Sequence, residues 1–173
     1  MIEVTHYNSP IGDILIAAKG EKLVGLWIEN QKYYLENFTE EKIETQNSVI
    51  LNKTKKWLDS YFNGDKPNIN ELSIEFIGTD FRKRIWQVLC EIPYGKTVTY
   101  KYIAEKIAKE KGIKTMSAQA VGSAVGHNPI SIIVPCHRVV GTDGSLTGYA
   151  GGLDKKMYLL KHENANIENL YIN

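Results

Sequence analysis

The chain has 173 residues, of which 43% are hydrophobic and 24% charged, a composition typical of a folded globular protein and not of a disordered one. Its two cysteines are too few for a disulfide framework or a four-thiolate zinc site. The longest apolar run is far shorter than the roughly 18 residues of a membrane span, and no secretory signal opens the chain. We therefore expect a cytoplasmic protein that does not associate with membranes.

Charge is distributed unevenly along the chain, although the formal net charge is only +1. Residues 1–80 hold 8 lysines against 13 Asp and Glu, whereas residues 81–173 hold 13 Lys and Arg against 7 Asp and Glu. A basic second half suits a polyanionic partner such as DNA, but a solvated surface can be equally basic.

The first half predicts a small β-sheet and a helix. Its predicted elements are a hairpin with strands at 14–18 and 23–28, a polar, helix-compatible segment at 31–44, a helix at about 48–62 and a further strand at 72–77. A Gly-Thr-Asp break at 78–80 coincides with the change of charge. We place a domain boundary there, and we expect the domain formed by residues 1–78 to have a structural role.

The second half, residues 79–173, is predicted to be mostly helical. Its predicted helices lie at about 80–92, 100–111, 118–126 and 153–161. Thr79 or Asp80 can cap the first helix, Gly112 closes the second and Ser117 can cap the third. The second and third helices form a helix-turn-helix. The predicted fold class is thus mixed α+β, with a small sheet-and-helix domain before a mostly helical one. Cys90, on the first of these helices, is expected to serve packing.

The third helix is unusual in containing two glycines within nine residues, Gly122 and Gly126. Each glycine costs about 1 kcal/mol relative to alanine in a helix interior. Tight packing on a neighbouring helix can offset this cost, and so can close approach of the helix backbone to a ligand. A helix with such small side chains is suited to the minor groove of DNA, which is roughly 6 Å wide.

Residues 128–140 contain the strongest candidate for chemistry. A mostly β-branched run at 130–134 predicts a buried, extended backbone that leads into the motif Pro-Cys-His-Arg at 135–138. Two potentially cationic neighbours favour the thiolate form of Cys136. Buried cysteines are nevertheless usually inert, and for Cys136 taken alone the inert interpretation is the better one.

Five sequence blocks, one of which contains this motif, favour a reactive Cys136 over an inert one. They are Ile-Pro-Tyr-Gly-Lys-Thr-Val-Thr-Tyr (92–100), Ala-Val-Gly-Ser-Ala (120–124), Asn-Pro-Ile through Pro-Cys-His-Arg-Val (128–139), Gly-Tyr-Ala-Gly-Gly-Leu (148–153) and Leu-Leu-Lys-His-Glu (159–163). In order and spacing they resemble the O6-alkylguanine-DNA alkyltransferases, also called methylated-DNA–protein-cysteine methyltransferases. The resemblance is continuous over residues 81–163 and looser over residues 1–78.

The resemblance implies a DNA-repair reaction that consumes the protein. A guanine alkylated on O6 is flipped out of duplex DNA, and its alkyl group moves irreversibly to Cys136. His137 would take the thiol proton through a water, and Glu163 would hold His137 in the useful tautomer. Tyr100 would donate a proton or hydrogen bond to the guanine, and Asn128 would brace the turn beneath the cysteine. O4-alkylthymine is a second candidate substrate.

A substrate pocket and a DNA surface are also implied. The pocket residues are expected to be Val125, Ser131, Val139, Tyr149 and Ala150. The DNA contacts are expected to be Thr99, Ser117, Gln119, Ala120, Gly122 and Arg138. The resemblance implies no metal and no organic cofactor, and we expect a monomer that contacts double-stranded DNA through the minor groove.

Two functions of other classes compete with this one. A cysteine hydrolase would use Cys136 and His137, but adjacent residues of a strand point to opposite faces, which disfavours direct proton transfer unless the chain turns at Pro135. The second is a DNA-binding sensor of alkylation damage that performs no transfer, and the presence of Cys136 argues against it.

Gln119 supplies a first testable prediction. The family often has an arginine at the matching position, wedged into the base stack where the lesion leaves. Glutamine fills the gap without a charge, and base flipping costs a few kcal/mol. We therefore predict that Gln119→Arg tightens binding to an O6-methylguanine duplex or speeds its repair, measured as a dissociation constant and a single-turnover rate. Unchanged values of both would refute this role.

Overall fold

The computed structural model describes residues 1–172, and its first half is built on a four-stranded sheet. The strands are β1 (Ile2–Ser9), β2 (Gly12–Lys19), β3 (Lys22–Ile28) and β4 (Ile43–Thr45). They lie in the order β3-β2-β1-β4, in which β2 pairs antiparallel with both β1 and β3, and β4 pairs parallel with β1. The predicted hairpin is confirmed as β2 and β3.

Side chains alternate between the two faces of the sheet along each strand, and both faces carry buried apolar side chains. On β2, Ile14 and Ile16 face the main apolar core. Leu15, between them, faces a second cluster that Trp27 and Phe38 close. Two layers therefore depend on the register of the same three strands.

Helix α1 (Val49–Phe62) packs against the main-core side of the sheet. Its buried residues recur at helical spacing and are Ile50, Leu51, Thr54, Trp57, Leu58 and Tyr61. The helix ends at Asn63, and Gly64 follows with a φ of 93°, which glycine adopts without steric cost. Tyr61 thus lies in the last turn, at the end nearest the second half of the chain.

The prediction that residues 31–44 are helix-compatible is wrong. It forms turns, a short 3-10 helix at Glu36–Phe38 and the start of β4. Asn30, Tyr33 and Leu35 all have positive φ, which no right-handed helix allows. The segment lacks the regular apolar spacing that would stabilise a helix by burial.

The prediction of a strand at 72–77 is also wrong. This segment pairs with β3 through a single residue, Ile74. Another segment occupies the next part of the β3 edge: the Leu26 amide donates to the Pro129 carbonyl at 2.8 Å, and the Leu26 carbonyl accepts from the Ser131 amide at 3.0 Å. Competition for one sheet edge therefore shortens the predicted strand to a bridge.

Most of the regular elements of the second half are helices, as predicted. Its elements are α2 (Asp80–Cys90), β5 (Val98–Thr99), α3 (Tyr100–Lys111), α4 (Ala118–Gly126), a 3-10 helix (Cys136–Arg138), β6 (Val139–Val140) and α5 (Leu153–His162). The predicted caps are present: the hydroxyls of Thr79 and Ser117 accept backbone hydrogen bonds at 3.2 Å, and Gly112 has a φ of 64°. Helices α3 and α4 pack against each other as the predicted helix-turn-helix.

The segment 128–140 is buried as predicted, but its predicted extended backbone is wrong. Only β6 is a strand, paired in parallel with β5, and Cys136 opens the 3-10 helix. The main core includes residues from both sides of the predicted boundary at 78, so the division into domains stays a prediction. None of the helices within residues 1–172 is both long and apolar enough to span a bilayer.

Trp86 ties α2 to α4 and provides a test of this packing. Its ring is fully buried, and its Nε1 donates to the Ala124 carbonyl at 2.8 Å. Trp86→Phe leaves that carbonyl without its donor, which costs about 1–3 kcal/mol. Trp27→Phe is the control, because it makes the same substitution at a buried tryptophan of the second cluster. We expect urea unfolding to show the larger loss of stability for Trp86→Phe, and equal losses would contradict the proposed link.

Candidate active site

The side chain of Asn128 closes the turn that precedes Cys136. Its Nδ2 donates to the Val134 carbonyl at 2.9 Å and to the Ile130 carbonyl at 3.3 Å, and its Oδ1 accepts from the Ile130 amide at 3.0 Å. Ile132, inside this turn, has a φ of 71°. That conformation is strained for a β-branched residue, so the surrounding contacts must hold it.

Cys136 follows Pro135 and is the first residue of a 3-10 helix. It is only 6% exposed. Burial raises the pKa of the Cys136 thiol, while the Asn128 side chain and the charge of Lys156 act in the opposite direction. The thiol therefore keeps its proton near neutral pH unless a base removes it.

His137 is a suitable base in a defined tautomer. It is fully buried, and its Nε2 lies 2.6 Å from Oε2 of Glu163. An ionised carboxylate can only accept, so Nε2 carries the proton and Nδ1 carries the lone pair. Nδ1 is buried and has no hydrogen-bond partner within residues 1–172. Burial lowers the pKa of His137, more than Glu163 raises it, and the ring is neutral near pH 7.

Glu163, directly after α5, is the centre of a polar network and is 2% exposed. Its Oε1 accepts from Nε of Arg138 at 2.7 Å and from the Gly95 amide at 3.1 Å. Its Oε2 accepts from His137 and from the hydroxyl of Tyr61, both at 2.6 Å. Burial alone would raise the pKa of Glu163, but the hydrogen bonds from His137 and Arg138 hold it well below its usual range.

Tyr100, the first residue of α3, borders the same region. Its hydroxyl donates to the Thr147 carbonyl at 2.8 Å. Burial and the nearby Cys136 raise the pKa of Tyr100 to about 12. The phenol is therefore protonated at physiological pH and able to donate its hydrogen.

An open cleft of about 460 Å³ lies between α4, the loop at 148–152 and the segment around Tyr33. Its walls include Gly122, Tyr149 and Ala150. The Ala150 carbonyl accepts from the Lys32 amide at 3.0 Å, which ties the loop to the first half of the chain. Three predicted site residues therefore face a cavity of the size that binds small molecules.

The two glycines of α4 are not explained by helix packing. A Cβ added at Gly122 would lie 3.8 Å from the ring of Tyr100, and one at Gly126 would lie 3.7 Å from the Gly148 carbonyl. Both distances are ordinary contacts, so the fold leaves room for alanine. Of the two explanations open at the sequence level, close approach of a ligand is the better supported.

Two family models match the chain. The ribonuclease-like domain of 6-O-methylguanine DNA methyltransferase matches residues 2–76, and the DNA-binding domain of the same family matches residues 80–165. The chain belongs to the 6-O-methylguanine DNA methyltransferase family. The resemblance inferred from the five sequence blocks is thereby confirmed.

Individual relatives in this family cover nearly the whole chain. The methylated-DNA–protein-cysteine methyltransferase of Methanosarcina barkeri is 42% identical over 92% of this chain and 96% of its own length. The protein of the same name from Haemophilus influenzae is 39% identical over 92% of this chain and 84% of its own. The crystal structure of Mycobacterium tuberculosis OGT in complex with DNA shares 37% identity over 96% of both chains, with a TM-score of 0.83. The mixed α+β fold class is confirmed by this structural match.

The structure brings the predicted catalytic residues of this family member into one region but places the other predicted residues in different settings. Of the predicted pocket residues, those buried are Val125, Ser131, Val139 and Tyr149, and Ala150 is partly exposed. Of the predicted DNA contacts, those exposed on the outer side of the helix-turn-helix are Ser117, Gln119 and Ala120, and those partly exposed are Thr99 and Gly122.

Arg138 requires a correction, because it was expected to contact DNA. It is 9% exposed. Its Nε and Nη2 donate to Glu163, and its Nη1 donates to the Ile92 carbonyl at 2.7 Å. Three of its five N–H groups are thus bonded inside the protein and the side chain is buried, so Arg138 is paired with Glu163 and is not placed on the surface where DNA would bind.

Lys156 was missed at the sequence level. It is fully buried on α5, and its Nζ donates at 3.0 Å to the Thr147 carbonyl that also accepts from Tyr100. A signal was present, since Lys156 lies on the same stripe as Leu153 and Leu160, where helical spacing predicts burial. Tyr61 is one of the buried residues of α1, and nothing in its local sequence indicated its hydrogen bond to Glu163.

Lys156 generates a pH-dependent prediction. Burial lowers its pKa from 10.5 to about 8. Between these values the unfolded chain binds a proton that the folded protein has released, so the contribution of Lys156 makes stability rise with pH. We expect the unfolding free energy of wild type, relative to Lys156→Met, to increase by about 2 kcal/mol between about pH 7.5 and 9.5 in urea titrations.

The matched control is Lys161→Met, which removes a lysine from the exposed side of the same helix. Its stability relative to wild type should not show this rise. A constant difference between wild type and Lys156→Met over the same pH range would mean that the buried ammonium keeps an ordinary pKa.

Proposed function

We propose that this chain repairs O6-alkylguanine in duplex DNA by transferring the alkyl group irreversibly to Cys136. The observation that carries the proposal is the arrangement of Cys136 beside His137, whose proton-bearing nitrogen is directed at Glu163. Membership of the 6-O-methylguanine DNA methyltransferase family supports the substrate, and relatives named methylated-DNA–protein-cysteine methyltransferase support the acceptor.

Transfer begins when Cys136 loses its proton. Nδ1 of His137 accepts that proton through a water, and the ionised Glu163 stabilises the resulting imidazolium. The thiolate sulfur then forms a bond to the alkyl carbon while the bond from that carbon to O6 breaks. A 3-10 turn supports this geometry better than the predicted strand, because its neighbouring side chains do not point to opposite faces.

Departure of guanine requires a hydrogen-bond donor on its ring. Tyr100 serves this role because its raised pKa keeps the phenol protonated. Its hydroxyl exchanges the Thr147 carbonyl for the guanine ring when the base enters, and Lys156 keeps that carbonyl satisfied. Tyr100 gives its proton to the departing guanine and is reprotonated at the expense of the His137 imidazolium, so the net change moves one proton from the thiol to guanine, and atoms and charge balance.

The alkylated base is recognised at the cleft beside α4. The amide of Ala150 contacts O6, backbone groups of Cys136 and Val139 contact the exocyclic amine, and Tyr149 lines the pocket. Val125 and Ser131, buried next to these groups, limit the size of the alkyl group that enters. O4-alkylthymine, which presents an alkyl group on a similar exocyclic oxygen, is the second substrate to be tested.

DNA binds across the outer surface of the helix-turn-helix, with α4 in the minor groove. The exposed residues Ser117, Gln119 and Ala120 have small or uncharged side chains that a narrow groove accepts. Gly122 lets the backbone approach the sugar-phosphate chain, and Thr99 contacts the strand at the start of α3. The complex of the Mycobacterium tuberculosis relative with DNA supports this partner, and the positive charge balance of residues 81–173 supports its attraction.

The protein acts once, as a monomer, in the cytoplasm. A thioether has no easy hydrolysis route, so an alkylated Cys136 is not regenerated. One copy suffices because all the residues assigned to the reaction lie within one chain. Both cysteines are unpaired, which suits a reducing compartment.

Mass spectrometry with two cysteine variants tests the proposal. After exposure to an excess of O6-methylguanine duplex, wild type should exchange one hydrogen for one methyl group, mapped to the peptide of Cys136. Cys136→Ala should bind the duplex and gain no methyl group. Cys90→Ala is the matched control, because burial and the neighbouring charge of Glu91 raise the pKa of Cys90 to about 11, which disfavours its thiolate, and this variant should be methylated like wild type.

The rival functions predict different products. A cysteine hydrolase would release product over many cycles and leave Cys136 unmodified. A damage sensor would bind the duplex without any change in mass. Methyl transfer that persists in Cys136→Ala would overturn the assignment of the nucleophile.

A further inference from the structure

Tyr61 connects the first half of the chain to the centre of the active site. It lies in the last turn of α1 and is 1% exposed. Its hydroxyl donates to Oε2 of Glu163 at 2.6 Å, across 102 positions of sequence. The same oxygen accepts from Nε2 of His137, also at 2.6 Å. Tyr61 and His137 therefore share one acceptor atom.

The position of this hydroxyl is set by α1 and its neighbours. The Tyr61 ring stacks on Trp57 with centroids 5.7 Å apart and meets Tyr94 edge to face at 6.2 Å. Its backbone carbonyl accepts from Nε2 of His162 at 2.6 Å. His162 and Glu163 are consecutive, so two adjacent residues of the second half bond to one tyrosine of the first.

We propose that Tyr61 is a positioning residue for alkyl transfer, which acts by fixing the Glu163 carboxylate that orients His137. This inference rests on the proposed function. It assigns the first half of the chain a part in the active site, where the sequence led us to expect only a structural role.

The physical reason lies in what Oε2 must do. A buried carboxylate stays ionised only while donors satisfy its oxygens, and a charge-assisted hydrogen bond is stronger than a neutral one. The Tyr61 hydroxyl withdraws electron density from Oε2 and holds the carboxylate plane, so that His137 is bound at a fixed angle. Burial, together with the negative charge of Glu163, in turn raises the pKa of Tyr61 far above its ordinary value, so Tyr61 remains a donor.

Loss of the hydroxyl should therefore change a titration as well as a rate. With one donor fewer, the carboxylate becomes more basic, and the His137–Glu163 pair retains an extra proton to higher pH. A protonated His137 cannot accept the thiol proton. The charged and titratable groups that face this pair are Tyr61 from α1, Tyr94 from the turn after α2, Arg138 from the 3-10 helix, Tyr149 from the loop at 148–152 and Lys156 from α5.

The decisive variant is Tyr61→Phe in the full chain. It removes only the hydroxyl and keeps the ring packing and the backbone bond from His162. We expect the single-turnover rate of methyl transfer from an O6-methylguanine duplex to fall about tenfold near neutral pH, as for loss of a hydrogen bond to a buried charge. The rising limb of the pH–rate profile should move to higher pH, while duplex affinity stays unchanged.

Tyr7→Phe is the matched control. The Tyr7 hydroxyl also donates to a carboxylate of α1, Asp59, at 2.7 Å, but this hydrogen bond is exposed to solvent, unlike the buried bond to Glu163. Its removal should leave both the rate and the pH profile as in wild type. Rates are compared at a temperature at which circular dichroism shows both variants fully folded, so that a loss of stability does not imitate a loss of activity.

A second comparison separates positioning from a general loss of structure. In a Glu163→Gln background, Tyr61→Phe should cause little further loss of rate, because the carboxylate through which it acts is gone. A Tyr61→Phe variant with the wild-type rate and pH profile overturns the inference, and so does a full additional loss in the Glu163→Gln background. If wild type itself transfers no methyl group, the proposed function fails instead.

Discussion

The active-site region depends on one buried carboxylate, that of Glu163. It accepts hydrogen bonds from His137, Arg138, Gly95 and Tyr61, which come from three other segments of the chain. Burial without these donors would leave the carboxyl neutral, and a neutral carboxyl would not fix the tautomer of His137. Removing one member of a buried ion pair typically costs about 3–5 kcal/mol, because the remaining charge is left buried and uncompensated, so Arg138 and Glu163 depend on each other.

A second constraint is the edge of β3, which supports the turn that carries the cysteine. Leu26 bonds to both sides of residue 130, and Asn128 closes the same turn from within. Together these bonds hold Ile132 in a conformation that costs about 1–3 kcal/mol in a β-branched residue. The edge of the first-half sheet is therefore hydrogen-bonded directly to the turn that precedes Cys136.

Local signals in the sequence predicted the elements whose stability is local. The caps at Thr79 and Ser117 and the stop at Gly112 are found where turn and capping chemistry placed them. The helix expected at 31–44 and the strand expected at 72–77 are absent. Whether each could form depended on which other segments of the chain pack beside it. A polar segment without apolar periodicity followed the packing of the sheet, and the second segment lost most of the β3 edge to residues 129–131.

The sequence by itself determined the family and predicted the nucleophile and the residues of the triad, because motif order and residue chemistry are written along the chain. Only the tertiary structure decided the hydrogen-bond partners of Arg138, Lys156 and Tyr61. The resemblance had implied that Arg138 contacts DNA, and no site role had been predicted for Lys156 or Tyr61. Their partners lie on distant segments, and a hydrogen bond across 102 positions has no local signature. Such contacts form only in the folded chain, where donors from distant segments satisfy the buried carboxylate of Glu163.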